Sequence, residues 1–200
     1  MRVLGILLAA GIGSRFEAGN KLLANLCGKP VVAHAGETLA AAHAAGHLND
    51  SIVVLGHEAE QVRGAFTAES FEVVENSDYG EGQATSVSLG TRAARDRNAD
   101  AVVFALGDLP CVSPETVERL VSSWGDSEAG IVVPTHDGKR GNPVLFDERH
   151  FEELSTISGD GGGRELFKAN PVEYVAVDDP GIHRDVDTVA DLEALRAGCE

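Results

Sequence analysis

Val3-Leu4-Gly5-Ile6-Leu7-Leu8-Ala9-Ala10-Gly11-Ile12-Gly13-Ser14-Arg15, with Asn20-Lys21-Leu22-Leu23 close behind, joins an apolar run to a glycine turn and then to two cations. Val3 to Ala9 reads as a strand buried on both faces, as in a parallel sheet. Gly11 and Gly13 free the backbone to take positive φ and to approach a ligand, so that successive N–H groups point at phosphate oxygens. Arg15 adds a bidentate fork and Lys21 a compact point charge. The segment therefore predicts a polyphosphate cradle built from Leu8, Ala9, Ala10, Gly11, Gly13, Ser14, Arg15 and Lys21. Two other glycine loops are excluded. A dinucleotide fingerprint needs a third glycine where Phe16 stands, and a P-loop needs Gly-Lys-Ser/Thr where Asn20-Lys21-Leu22 stands.

Outward from this turn, strand-like apolar runs recur at residues 51–55, 71–75, 101–106, 131–134 and 174–177. Helical patterns separate most of them, at 31–45, 58–68, 84–96, 114–123, 162–169 and 189–196. This alternation predicts βαβ units, a mostly parallel sheet and one α/β domain over residues 1–200. Ser113 is placed to cap the helix that opens at Pro114, and Thr188 the last helix. After Pro134 the alternation breaks. Asp137-Gly138, Gly141-Asn142-Pro143 and the apolar Val144-Leu145-Phe146 predict an antiparallel excursion covering the carboxyl edge of the sheet, where open α/β folds bind ligands.

The composition narrows the partners. Thirty-two acidic against 16 basic residues give a formal charge of −16, which argues against a nucleic acid or an anionic membrane. So acidic and lysine-poor a chain is similar to proteins of high-salt hosts, though a merely solvated acidic surface reads as well. Cys27, Cys111 and Cys199 are odd in number, widely spaced and without a CxxC pair. They predict neither a disulfide framework nor a zinc site, and a reducing cytoplasm. The apolar run before Gly11 is too short to span a membrane, and the protein reads as soluble. The seven histidines show no metal-ligand spacing.

Asp108 follows a second apolar strand, 101–106, and so faces the same crevice as the glycine loop. Hard carboxylate oxygens suit a Mg²⁺ ion that also binds phosphates; a helix-capping role is the plainer alternative. In Asp185-Val186-Asp187 an extended backbone puts both carboxylates on one face, with capping of the last helix as the alternative. The polar segment Asn76 to Ser86 enters a helix whose N-terminus is a second anion or ribose site. Arg140 to Pro143 and Asp160 to Arg164 are the remaining polar clusters.

Six segments in order carry a resemblance: Ala9-Ala10-Gly11-x-Gly13-Ser14-Arg15 with Asn20 to Leu23 and Gly28-Lys29-Pro30-Val31; Asn76-x-x-Tyr79-x-x-Gly82-x-x-x-Ser86-x-Ser88-Leu89; Gly107-Asp108-Leu109-Pro110; Gly141 to Phe146; Gly159-Asp160-x-Gly162-x-Arg164; and Asp185-Val186-Asp187-Thr188. The chain resembles the MobA-like nucleotidyltransferases and, within them, the molybdenum cofactor cytidylyltransferases. The resemblance implies a doubly wound, Rossmann-like sheet of the nucleotide-diphospho-sugar transferase type and transfer of CMP from CTP to a molybdopterin phosphate. It implies Mg²⁺ on Asp108, completed by Asp187, with Arg15 on the β and γ phosphates and Lys21 near the α-phosphate. Asn76, Gly82 and Ser86 would lie near base and sugar, and Asn142, Asp160 and Arg164 would border the pterin. A molybdoenzyme or cofactor-insertion partner would follow. The chain departs from the family at Val189-Ala190, where Pro-Glu is usual. Ala10 stands where guanylyltransferase relatives carry glycine, which favours CTP over GTP. Rivals are a guanylyltransferase, a sugar-phosphate or isoprenoid cytidylyltransferase, and a nucleotide-binding cofactor chaperone or regulator without turnover.

Overall fold

The computed structural model describes residues 1–66 and 71–199. Strand β1 (Val3–Ala9) is buried along its whole length, as its unbroken apolar run requires. It lies in parallel register between β4 (Asp50–Leu55) and β6 (Ala101–Leu106), with Ala9 opposite Leu55 and Leu8 opposite Leu106. β5 (Glu72–Glu75) extends the sheet beyond β4. On the other side of β6 come β9 (Val144–Asp147), β7 (Ile131–His136) and β10 (Glu173–Ala176), giving the order β10-β7-β9-β6-β1-β4-β5. The short β8 (Lys139–Arg140) pairs with β7, and β2 (Asn25–Leu26) with β3 (Lys29–Pro30) makes a separate antiparallel pair.

Helices cover both faces. α1 (Val31–Ala44) and α4 (Pro114–Asp126) bury Val32, Leu39, Val117, Leu120 and Trp124 with Leu7 and Val53; α2 (Ala59–Gly64) adds Val62 to that layer. α3 (Gln83–Arg95) and α5 (Phe151–Leu154) bury Val87, Ala94, Phe151 and Leu154 with Ile6 and Phe104. The chain is thus a mixed α/β domain on a mostly parallel sheet. Truncating a fully buried residue such as Leu7 to alanine should cost about 2–5 kcal/mol. The third layer, α6 (Val189–Arg196), packs Leu192 on Phe16, Leu26, Val31 and Val186, and so ties the chain's tail to the start of the glycine-loop region.

Four expectations change. The antiparallel excursion is more than a cover: its Arg140 to Asn142 turn borders the carboxyl end of β6 at Leu106, but β9 enters the sheet between β6 and β7, pairing Val102 with Phe146 and Ile131 with Phe146. Its apolar residues gain more from burial on both faces than an edge position offers. The 162–169 segment is a 3-10 turn, Gly162–Lys168. Of the helix expected at 58–68, residues 59–64 are helical, and 67 and 68 lie outside the described residues. Ser113 occupies the N-cap position of α4, but its hydroxyl donates to Glu115; Asp179 accepts instead from the Ser113 N–H at 2.8 Å and the Thr116 hydroxyl at 2.6 Å. Thr188 caps α6 as expected, in a reciprocal capping box with Asp191.

Cys27 and Cys199 form a disulfide across 172 residues, with Cα atoms 5.5 Å apart, and Cys111 is free. An odd count excludes full pairing but not one pair, so the cysteine argument for a reducing compartment falls. Among the described residues no helix is long and apolar enough to cross a membrane.

Candidate active site

Beyond the carboxyl end of β1 the loop Ala10 to Arg15 opens a cleft of about 320 Å³, whose far wall is Tyr79 to Ser86. Asn20 starts the 3-10 turn Lys21–Leu23 by accepting the Leu22 N–H at 3.0 Å, which turns Lys21 inward. Gly13 makes room for it. At φ +64° it is the one loop glycine in the left-handed region, and a Cβ there would lie 3.1 Å from Lys21 Cγ. Gly11 does not adopt positive φ, contrary to the sequence reading; it faces open space, which leaves the backbone bare toward the cleft.

The Lys21 ammonium donates to Asp108 Oδ2 at 2.6 Å and to Asp187 Oδ1 at 2.8 Å, while Arg15 reaches the other oxygen of Asp187 at 2.7 Å. Lys21 is 11% exposed and Arg15 73%, so one cation is built into the floor and the other reaches out over it. Burial pulls the Lys21 pKa down, but the two carboxylates outweigh it and hold the ammonium above the ordinary lysine value. Neither aspartate caps a helix with its side chain. Asp108 hangs at the end of β6, and its carbonyl accepts the Val186 N–H at 2.9 Å, which registers Asp187 beside it.

Asp185 is separated from Asp187 in use. Val186 is fully buried between them, and Asp185 lines a second cavity of about 220 Å³ with Arg140, Asn142, Arg164, Phe167 and His183. Burial pushes the Asp185 carboxyl up, reinforced by the charges of Asp187 and Asp108. Leu106 lines both cavities.

The carboxylates fit a divalent ion. Oxygens of Asp108 and Asp187 already converge on one small cation, the Lys21 nitrogen, and they are the hard donors that such an ion takes alongside phosphate oxygens. Among the described residues no group of three or more His, Cys, Asp or Glu forms a metal cage, so phosphates would have to complete the coordination.

The other predicted residues divide. Leu8, Ala10, Gly11, Gly13, Ser14, Gly82 and Ser86 line the first cleft, whereas Ala9 turns into the core. Asn76 is buried behind the wall. Its amide donates to Thr85 and Ser86 hydroxyls at 2.8 and 2.9 Å and accepts the Asp78 N–H at 2.9 Å, so it shapes the segment from within. Gly82, at φ +113°, lets the Asp160 turn close in: a Cβ would lie 2.6 Å from Asp160 Oδ1 and 2.7 Å from the Gly159 carbonyl. Asp160 thus braces the wall, while Asn142 and Arg164 line the second cavity. Ile12, Tyr79, Gly80 and Gln83 also line the first cleft; the last three lie in the segment expected to hold a second anion or ribose site, though none was singled out as a site residue. Tyr79 carried a signal, as the one aromatic between the strand-end Asn76 and Gly82.

Residues 5–176 match the family model for the MobA-like NTP transferase domain. The nicotine blue oxidoreductase of Paenarthrobacter nicotinovorans is 32% identical over 201 residues, covering 96% of each chain. Among solved structures, the Rv0371c homolog from Mycobacterium sp. strain JC1 superposes with a TM-score of 0.85 at 25% identity, over 100% of this chain and 98% of that one. Rv0371c of Mycobacterium tuberculosis in complex with manganese gives 0.78 at 27% identity, over 98% and 99%. On the match over residues 5–176 and the end-to-end similarity to a relative 32% identical, the chain belongs to the MobA-like NTP transferase family.

Proposed function

We propose that the chain transfers CMP from CTP to the phosphate of a molybdopterin-type acceptor, with release of pyrophosphate. The observation that carries this reading is the pair of cavities meeting at Leu106, with Lys21, Asp108 and Asp187 in the first and Asp185 opening the second. The nucleotide lies along the glycine loop, where loop amides and Arg15 hold the β and γ phosphates. An oxygen of the acceptor phosphate attacks the α-phosphorus, the bond to the bridging oxygen breaks, and pyrophosphate carries the electron pair away. Lys21 leaves its carboxylates for the α-phosphate and offsets the charge that grows there. Asp108 and Asp187 are the residues that would hold Mg²⁺, which when bound neutralises phosphate charge and aligns the two reactants. Because phosphoryl chemistry needs little covalent help, positioning and charge supply most of the rate. CTP as the donor puts the reaction in the cytoplasm, and the product would pass to a molybdoenzyme or an insertion partner.

Ala10 favours cytidine: its side chain is buried at the cleft wall, where a purine needs space. The test is pyrophosphate release with each of the four ribonucleoside triphosphates, molybdopterin and Mg²⁺. CTP should support turnover best. A preference for GTP replaces cytidine by guanosine, turnover with a sugar phosphate or isoprenoid phosphate replaces the acceptor, and nucleotide binding without pyrophosphate release points to a chaperone or regulator. The end-to-end similarity to an oxidoreductase favours a second reading, electron transfer in the same cleft. Reduction of a dye by an added reduced nicotinamide, with oxidation of the nicotinamide dependent on this chain and no pyrophosphate release from any nucleotide, would establish it over the first.

A further inference from the structure

Gly56 follows the last residue of β4, and its place is set by the pairing of Leu55 with Ala9. Its backbone does not lie in the left-handed region, so conformation does not demand a glycine there. Space does. A Cβ on Gly56 would lie 2.7 Å from Tyr79 Cβ, 2.8 Å from Ala10 Cβ and 2.9 Å from the Ala10 carbonyl oxygen, all closer than real side-chain carbons approach. Those three atoms belong to two residues on opposite walls of the nucleotide cleft, Ala10 of the glycine loop and Tyr79 of the following turn. The junction is pinned from behind: the His57 N–H donates to the Ala10 carbonyl at 3.1 Å, the Asn76 N–H donates to the Leu55 carbonyl at 2.7 Å, and the His57 ring lies tilted against Tyr79 at 5.9 Å. The half-buried Tyr79 is thereby held in the cleft wall, with Ala10 on the other side of Gly56.

We infer that Gly56 is a specificity-determining residue: by letting Tyr79 and Ala10 close on each other it sets the width of the slot for the nucleobase, of which Tyr79 is the stacking face. This rests on the nucleotidyltransferase reading of the same cleft. An aromatic face accepts any base, so the discrimination lies in the width and not in the ring. A methyl group at position 56 should push Tyr79 and Ala10 apart by several tenths of an ångström and spoil stacking of the pyrimidine. The triphosphate, held by Arg15, Lys21 and the loop amides, should be nearly unaffected.

The experiment is calorimetric titration of the whole chain with CTP, GTP and inorganic tripolyphosphate, the last reporting the loop without a base. Gly56→Ala should weaken CTP at least about tenfold and narrow the CTP to GTP ratio, while tripolyphosphate changes less than about twofold. Equal weakening of CTP and tripolyphosphate, or no change in either, overturns the inference. Should Gly56→Ala fail to fold, Tyr79→Ala and Tyr79→Phe decide it. Loss of CTP affinity in the first, recovered by the ring of the second, supports the slot; equal affinity in both refutes it. Wild-type protein that binds neither CTP nor tripolyphosphate refutes the nucleotidyltransferase reading itself, a result distinct from all of these.

Discussion

Lys21→Ala removes the one cation on which Asp108 and Asp187 converge, and the structure sets the size of the effect. Two charge-assisted hydrogen bonds, at 2.6 and 2.8 Å, are lost, each worth about 1.5–3 kcal/mol. Both carboxylates are 21% exposed, so water recovers part of this, and a net loss of about 2–3 kcal/mol is expected. At roughly 2–4 °C per kcal/mol for a domain of this size, Tm should fall by about 4–12 °C in metal-free buffer. Lys21→Met, which keeps the stem packed over Gly13, isolates the charge from the packing. Divalent ions should then act differently on the two proteins. In the wild type Mn²⁺ has to displace an ammonium, whereas in the variants it meets two free carboxylates, so it should raise their Tm by more. In turnover, kcat should drop about 100-fold, and by more than KM for nucleotide rises, because the α-phosphorus alone changes its bonding. The lysine pKa is raised, so the clamp is intact below about 10.5 and is lost only as pH climbs through the higher folded value. Differential scanning calorimetry with and without Mn²⁺, together with steady-state kinetics, measures all of this. A Lys21→Met protein as stable as wild type, gaining no more from Mn²⁺ and with unchanged kcat, would refute the clamp.

Asp108→Asn should keep the fold and lower Mg²⁺-dependent turnover at least about 100-fold; near-normal rates remove Asp108 from the mechanism. Ala10→Gly should admit GTP better while CTP stays usable, with a shift in the kcat/KM ratio limited to about 1–3 kcal/mol, since one methyl group is removed. Asp147 accepts from the Arg149 guanidinium and backbone and from Trp124 Nε1 at 3.4 Å; burial pushes its pKa up, but these donors prevail and hold it below the usual carboxylate value. Its contribution is therefore present above about pH 4 and is lost as pH falls through the lowered value. Asp147→Asn should cost about 1–2 kcal/mol at pH 7, a Tm change of roughly 2–8 °C, and nothing at strongly acid pH; a loss of the same size at both pH values would contradict this ion pair.

What was legible in the sequence was local. The buried strand Val3–Ala9, the glycine loop with Lys21, Asp108 at the end of an apolar strand and the Thr188 cap each follow from neighbouring residues alone. What escaped depends on contacts between distant segments. The insertion of β9 beside β6 joins residues 40 or more apart, Asp179 holds the start of a helix more than 60 residues earlier through Ser113 and Thr116, and the disulfide closes 172 residues. Counting cysteines carries no information on which two meet. Asp185 and Asp187 would share a face in an ideal strand, but residues 185–187 lie outside any strand and the two carboxylates line different cavities. The close approach of Tyr79 and Ala10 across Gly56 was not legible, because the lack of a side chain at Gly56 matters only in three dimensions.

In the proposed reaction this cleft cleaves a nucleoside triphosphate between its α and β phosphorus atoms. Incubation with CTP labelled at the α-phosphorus, molybdopterin and Mg²⁺ tests it most directly, with pyrophosphate and label transfer followed together. CMP transfer gives one pyrophosphate for each labelled acceptor, and both signals are lost in Asp108→Asn. Release of inorganic phosphate without label transfer, or no cleavage of any of the four nucleotides, would contradict it.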